Sequence, residues 1–187
     1  MTMPSIPPAD LARYNERILQ TLRELGLPES LATTRRQPAQ LECDDANLVS
    51  IGPDLLGREQ RLERRTAELW LAMQAAAERE KVAIGVVSAF RSFDYQRGII
   101  ARKLAAGQSV EQILAVSALP GFSEHHSGRA VDMGTPGGPH LTEEFENTAA
   151  FSWLTLHAAD YGFQLSYPRG NPHGVVFEPW HWCFSEP

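Results

Sequence analysis

The chain has 187 residues, 43% of them hydrophobic, with 23 acidic against 17 basic side chains and a formal net charge of -6. That length and apolar content suit one domain with a full core and fall short of two. The acidic balance argues against a nucleic-acid binder and a membrane-docking polybasic segment, and no apolar run approaches the roughly 18 residues of a membrane span.

Met1 to Ala9 is polar and proline-rich, without the charged start and apolar core of a signal peptide. A cytoplasmic location is expected, or a periplasmic one where a leader has been removed. Asp10 to Leu25 predicts an amphipathic helix carrying Leu11, Tyr14, Ile18, Leu22 and Leu25, ended by Gly26 and Pro28. Pro38 to Pro53 has no clean period and reads as an irregular connection. Gly57 to Lys81 reads as one long helix with Leu62, Leu69, Met73 and Ala76 on one side, Trp70 beside them, and a solvated Arg/Glu face opposite.

Val82 to Ala89 is an apolar run that predicts a buried strand. Asp94 to Ala106 follows as a helix, and Ser109-Val110-Glu111-Gln112 has the form of a capping box. Arg129 to Met133 predicts a second strand, and Gly134 to Pro139 a loop. Asn147 to Tyr161 predicts a helix ended by Gly162. Short strands are expected at Phe163–Leu165, Val175–Phe177 and Trp180–Phe184. Helices come early and strands late, so the class is α+β, with a small, largely antiparallel sheet flanked by helices. Cys43 and Cys183 are too few for a disulfide scaffold. Free thiols are expected, with Cys183 facing the core; a Cys43–Cys183 bridge stays open, because sequence does not give their separation.

The chemistry sits in two segments. One is Ser123-Glu124-His125-His126-Ser127-Gly128-Arg129-Ala130-Val131-Asp132; the other is Glu178-Pro179-Trp180-His181-Trp182. A lone His and Asp would read as a packed ring and a turn-closing carboxylate. With the second segment present, His125, Asp132 and His181 read as three ligands of one catalytic metal with an open fourth position. Two imidazoles and a carboxylate suit zinc. Ala130, on the Asp132 face by alternation, leaves room for an ion.

Glu178 is the candidate general base. It stands three positions before His181, so an extended backbone would point the two apart. A break in the strand is required, and Pro179 supplies a reason for one. His126, His140, His157 and His173 read as supporting or exposed residues. Trp180 and Trp182 share a face, where they wall the site or belong to the core. Arg91 follows the buried strand, where its guanidinium would hold a carboxylate, stabilise an oxyanion, or tie a loop to backbone carbonyls.

These segments, together with Arg91 and Gln96, Trp153-Leu154, Tyr161-Gly162-Phe163 and Tyr167-Pro168, resemble the VanY-type D,D-/L,D-carboxypeptidases. These belong to the zinc peptidases that share a fold with lysostaphin-like enzymes and the hedgehog signalling domain. The resemblance runs from about Leu62 to Phe184. It implies one zinc ion on His125, Asp132 and His181, and Glu178 as base. It also implies substrate contacts from Arg91, Gln96, Ser123, Trp180 and Trp182. The expected organisation is a single domain over 1–187, with an N-terminal helical extension at 1–57 and a catalytic core at 58–187. The extension lies outside the resemblance and is expected to cover the cleft or pair subunits. Ser166 and His173-Gly174 stand where family members often carry an Arg and a Thr-Gly, a departure that touches substrate detail.

The expected activity is removal of the terminal D-alanine from peptidoglycan peptides. A cytoplasmic chain would meet recovered tetrapeptides, which favours the L,D bond; D,D trimming of pentapeptides is the alternative. A phage-type endolysin would commonly add a basic wall-binding module, which this chain lacks. A non-enzymatic module is disfavoured because both ligand segments and Glu178 are intact.

Overall fold

Two apolar stripes on early helices decide how the chain packs. In the computed structural model, which describes residues 8–186, helix α1 (Pro8–Glu24) buries Ile18 and Leu22 almost completely. Leu11, expected on that stripe, remains 40% exposed. The polar start at Met1 to Ala9 lies largely outside the described residues. A single helical turn, α2 (Leu31–Thr34), follows. The chain then forms β1 (Leu48–Pro53) and β2 (Glu59–Glu63), an antiparallel hairpin that pairs Val49 with Leu62.

This hairpin takes over the last six residues of the irregular connection expected over 38–53, which otherwise holds through residue 44, and the first turns of the helix expected from Gly57. Its loop is organised by Asp54, whose carboxylate accepts from the Leu56 and Arg58 amides at 2.8 and 2.9 Å and from Arg58 Nε at 2.7 Å. Gln60, Arg61 and Glu63 favour helix by propensity. Pairing with β1 and complete burial of Leu62 outweigh that weak preference. Helix α3 therefore begins at Arg64 and runs to Arg79, capped by the Glu63 carboxylate on the Arg65 and Thr66 amides. Its buried face carries Trp70, Met73 and Ala77.

Strand β3 (Gly85–Ser88), helix α4 (Phe93–Ala105), helix α5 (Val110–Val116) and strand β4 (Ala130–Gly134) come next. The Ser109/Gln112 capping box is present at the start of α5. Helix α6 (Ala149–His157) ends four residues before the expected Tyr161, in a 3₁₀ turn over Ala158–Tyr161. Strands β5 (Phe163–Leu165) and β6 (His181–Phe184) complete a four-stranded sheet of order β3-β4-β6-β5, antiparallel throughout. Val175–Phe177 is not a strand. The Asn171 amide instead holds the Val175 and Pro168 carbonyls, fixing a loop.

The main core lies between the sheet and helices α3 and α6, with Trp70, Met133, Trp153, Phe163, Trp182 and Phe184 among its members. A second cluster joins Ile18 and Leu22 of α1 to Phe93, Ile100, Ile113, Leu119 and Phe122. Each such aliphatic side chain taken from water contributes roughly 1.5–3 kcal/mol. Helix α1 and the turn after it therefore pack against helices α4 and α5.

Candidate active-site cleft and metal centre

Strand pairing brings the ligand candidates together. Asp132 sits mid-strand in β4 and pairs in register with His181, the first residue of β6. His125 lies in a short 3₁₀ turn, Glu124–Ser127, just before β4. Gly128 ends that turn with φ of +70°, and a side chain there would come within 2.9 Å of the Glu63 amide nitrogen. Glycine is required on both counts. The candidate ligand atoms of His125, Asp132 and His181 all lie within 4.8 Å of one another, and all three residues are buried.

Hydrogen bonds settle which ring nitrogens are free. His125 Nδ1 is 2.6 Å from the Ala89 carbonyl oxygen, so it carries the proton and donates. That leaves His125 Nε2 with its lone pair, buried without a hydrogen bond and 3.3 Å from Asp132 Oδ1. His181 Nε2 donates to Glu124 Oε2 at 2.8 Å, and its Nδ1 faces Asp132 Oδ1 at 3.0 Å. An outward hydrogen bond that orients each ligating imidazole is the usual construction of a metal site. The donor set, its burial and its two outward-tethered rings fit a zinc ion.

The charges are strongly coupled. Burial acts to raise the Asp132 carboxyl, and the two histidines outweigh it, holding the group well below the ordinary carboxylate range. Burial acts to lower His181, yet its bonds to Asp132 and Glu124 push it up to about 10. His125 is lowered to about 4 by burial and by the charge of Arg91. Glu124 is brought down to about 2, because its bond to His181 overcomes desolvation.

Glu178 comes close by way of a turn. His181 N donates to the Glu178 carbonyl at 3.1 Å across Pro179 and Trp180, so β6 starts only after the turn. Glu178 Oε2 then stands 3.9 Å from His181 Nδ1. This is the break in the strand that the three-residue spacing required. Burial pushes the Glu178 carboxyl up to about 7.

A cleft of about 390 Å³ opens over this group, and Arg91, Gln96, Ser123, Glu178 and Trp180 all line it. A family whose description is VanY: D-alanyl-D-alanine carboxypeptidase matches residues 59–186. The chain belongs to the VanY family. Among its relatives, the Bacillus subtilis (strain 168) protein YodJ is 33% identical over 124 residues, 64% of this chain and 45% of YodJ. A D-alanyl-D-alanine carboxypeptidase of Enterococcus faecalis (strain ATCC 700802 / V583) is 28% identical over 184 residues, 90% of this chain and 64% of that protein. The chain thus spans between about half and two thirds of these relatives' length. The LdcB LD-carboxypeptidase structure superposes with a TM-score of 0.68 at 29% identity, covering 79% of this chain and 71% of that one. The VanY D,D-pentapeptidase of a VanB-type resistance cassette, in complex with Zn(II), gives 0.54 at 26% identity, with 80% of each chain covered. That zinc complex and the donor set here agree on zinc as the metal of this VanY-family centre.

The remaining candidates divide. Arg91 is laced to the ligand turn: its amide donates to the His125 carbonyl at 3.2 Å, and its carbonyl accepts from His126 Nδ1 at 2.7 Å. Its guanidinium reaches Asp132 Oδ2 at 3.7 Å. Buried His126 also accepts from the Gly121 amide at 3.1 Å and is a support for the turn. Gln96 donates to the Ala118 carbonyl at 2.7 Å and leaves Oε1 buried without a partner. Trp180 walls the cleft, but Trp182 does not. It points the opposite way along β6 into the main core, with Nε1 donating to the Pro179 carbonyl at 2.9 Å. Alternation likewise sets Cys183 on the His181 side of β6 and not in the core. Cys43 and Cys183 are free thiols.

Several lining residues had no role assigned to them from the sequence. Tyr167 stacks on the His181 ring, with centroids 4.8 Å apart. Gln37, buried and lining the same cleft, donates to Tyr167 Oη at 3.3 Å and accepts from Arg35. Its segment is tied down where the Gln40 amide meets the Gly121 carbonyl at 2.8 Å and the Cys43 amide the His126 carbonyl at 2.7 Å. Glu124 adjoins a ligand in sequence, and its adjacency to His125 was the available signal. Gln37 had none.

Proposed function

We propose that this chain is a one-zinc carboxypeptidase that removes the terminal D-alanine from peptidoglycan peptides. The observation that carries the reading is the convergence of His125 Nε2 and His181 Nδ1 on Asp132, with the Glu178 carboxylate 3.9 Å from His181 Nδ1. Bound zinc supplies a Lewis acid and makes water a nucleophile near neutral pH. Glu178, its carboxyl raised by burial, takes a proton from the attacking water and returns it to the departing amine nitrogen. Arg91 stands beside Asp132, where its planar fork neutralises charge developing on the scissile carbonyl oxygen or holds the terminal carboxylate.

The preferred bond in this reading is the L,D bond of tetrapeptides released from the wall, met in the cytoplasm. The likeness to the LdcB LD-carboxypeptidase supports it, with a TM-score of 0.68 against 0.60 for VanYB in complex with D-Ala-D-Ala. Hydrolysis of the D,D bond of pentapeptides is the second reading, favoured by the D-alanyl-D-alanine carboxypeptidase relative at 28% identity. Mass spectrometry of defined tetra- and pentapeptides after incubation with protein and zinc tests both. Loss of one D-alanine from the tetrapeptide is expected. Loss from the pentapeptide alone would transfer the assignment to the D,D bond, and no loss from either would remove the carboxypeptidase reading.

A further inference from the structure

Helix α4 brings a second cation to the cleft. Gln96, Ile99 and Lys103 are spaced three and four residues apart, so they lie along one helix face, and all three line the cleft. Past Gln96 the wall continues through Val116, Ser117 and Ala118 at the end of α5. Lys103 is half-buried there, with Nζ 2.7 Å from Ser117 Oγ as donor. Among the described residues it makes no ion pair with a carboxylate.

The other ionisable groups lining the cleft each have a counterpart. His125, Asp132 and His181 meet one another, Glu124 meets His181, Glu178 stands beside His181, and Arg91 reaches Asp132. Lys103 alone among them has only a hydroxyl. Burial, and then the nearby charge of Arg91, lower its pKa, while the charge of Glu178 acts to raise it. A partly desolvated ammonium with no carboxylate in contact gains from an anion that arrives to meet it. The Ser117 hydroxyl accepts from Lys103, so its own proton remains free to donate to that same anion.

We propose that Lys103 and Ser117 form a carboxylate subsite at the α4–α5 end of the cleft, which holds a carboxylate of the bound peptide. The subsite deepens the carboxypeptidase reading and rests on it for the identity of the peptide. Of the three free carboxylates on such a peptide, the two nearest the scissile bond are the candidates. One is the side-chain carboxylate of a diamino-dicarboxylic residue preceding the scissile bond; the other is the C-terminal carboxylate itself.

The test uses zinc-loaded full-length protein carrying Glu178→Gln, so that binding is read without turnover. Calorimetry compares it with the Glu178→Gln/Lys103→Met and Glu178→Gln/Lys103→Arg double variants. The probes are the tetrapeptide L-Ala-γ-D-Glu-meso-diaminopimelyl-D-Ala, its form amidated at the side-chain carboxylate, and its C-terminal amide. Lys103→Met is expected to weaken binding of the free tetrapeptide at least tenfold, and Lys103→Arg to restore most of it. If the side-chain carboxylate is the ligand, its amidation costs the Lys103 protein the same factor and the Lys103→Met protein nothing. If the C-terminal carboxylate is the ligand, the C-terminal amide behaves that way instead. Equal affinity of the Lys103 and Lys103→Met proteins for all three peptides would overturn the subsite. Binding that depends on Lys103, with no D-alanine released by the wild type, would leave the subsite standing and remove the carboxypeptidase reading.

Discussion

Asp132 and His181 face each other across one rung of the β4–β6 ladder, with Oδ1 and Nδ1 3.0 Å apart. The ladder aligns two side chains 49 positions apart, so this part of the centre is built by sheet register and not by a loop. A slip of one residue in either strand would turn that strand's side chain to the opposite face and break the pair. In the metal-free protein the proton held on His181, whose pKa is pushed up to about 10, must leave before Nδ1 can take a metal. Zinc binding therefore releases a proton and tightens as pH rises.

His125→Ala, Asp132→Ala and His181→Ala are each expected to lose bound zinc while keeping the far-ultraviolet circular dichroism of the parent. Metal analysis after gel filtration checks this. A variant that keeps full zinc would drop out of the ligand set.

Glu178→Gln is expected to keep zinc and lose on the order of 10²–10⁴-fold in kcat. It has a second signature. The Glu178 carboxyl is raised from 4.5 to about 7, so between those values the folded state binds more protons than the unfolded one. Metal-free stability therefore falls as pH rises through that window and levels off above it. At 1.36 kcal/mol per pKa unit the loss is roughly 3 kcal/mol, and the Gln variant escapes it. Urea melts in chelator should show the variant more stable at pH 8 and level with the parent at pH 4. Parallel curves would show that Glu178 does not titrate there.

Arg91→Lys should lose at least ~1.4 kcal/mol in kcat/KM, a tenfold effect, because a point charge cannot reproduce a two-pronged contact. A rise in KM alone would mark Arg91 as a ground-state carboxylate anchor; a fall in kcat would mark it as an oxyanion contact. The wild type should process a C-terminally amidated tetrapeptide poorly. Efficient cleavage of that amide would argue for an endopeptidase.

Glu124 orients His181 by accepting from its Nε2. Glu124→Ala should lower zinc affinity by about 10–100-fold, the usual cost of losing such a partner. Glu124→Gln, which keeps an acceptor oxygen, should lose less. Competition against a chromogenic chelator measures both, and equal affinity in all three proteins would show that the contact is idle.

Leu22 is 1% exposed in the second cluster, so Leu22→Ala should cost about 2–5 kcal/mol of unfolding free energy. Denaturant melts read this directly. A change under 1 kcal/mol would mean that α1 detaches without consequence for the rest.

The metal centre was legible because its residue types are rare together and its two segments are compact. The Glu178–His181 spacing even required the turn that Pro179 and Trp180 make. The β1–β2 hairpin was not legible. Gln60, Arg61 and Glu63 are good helix formers, and only pairing with Gly52, Ser50 and Leu48 makes them a strand. Of the two places left open for Trp182 the core is the one it takes, and Cys183, expected in the core, follows His181 to the other face by alternation. Gln37 and Lys103 carry no local pattern; only the folded chain shows that they reach the cleft.

Gln37 lies outside the span by which the family is recognised, yet it shares a cleft with the metal ligands. Its amide is held between Arg35 and Tyr167, and the Tyr167 ring rests on His181. An inhibitor built only on a zinc-binding group would address what the whole family has in common. Extending such a compound by one polar arm towards Gln37 would add a contact to a residue outside the family-matched span.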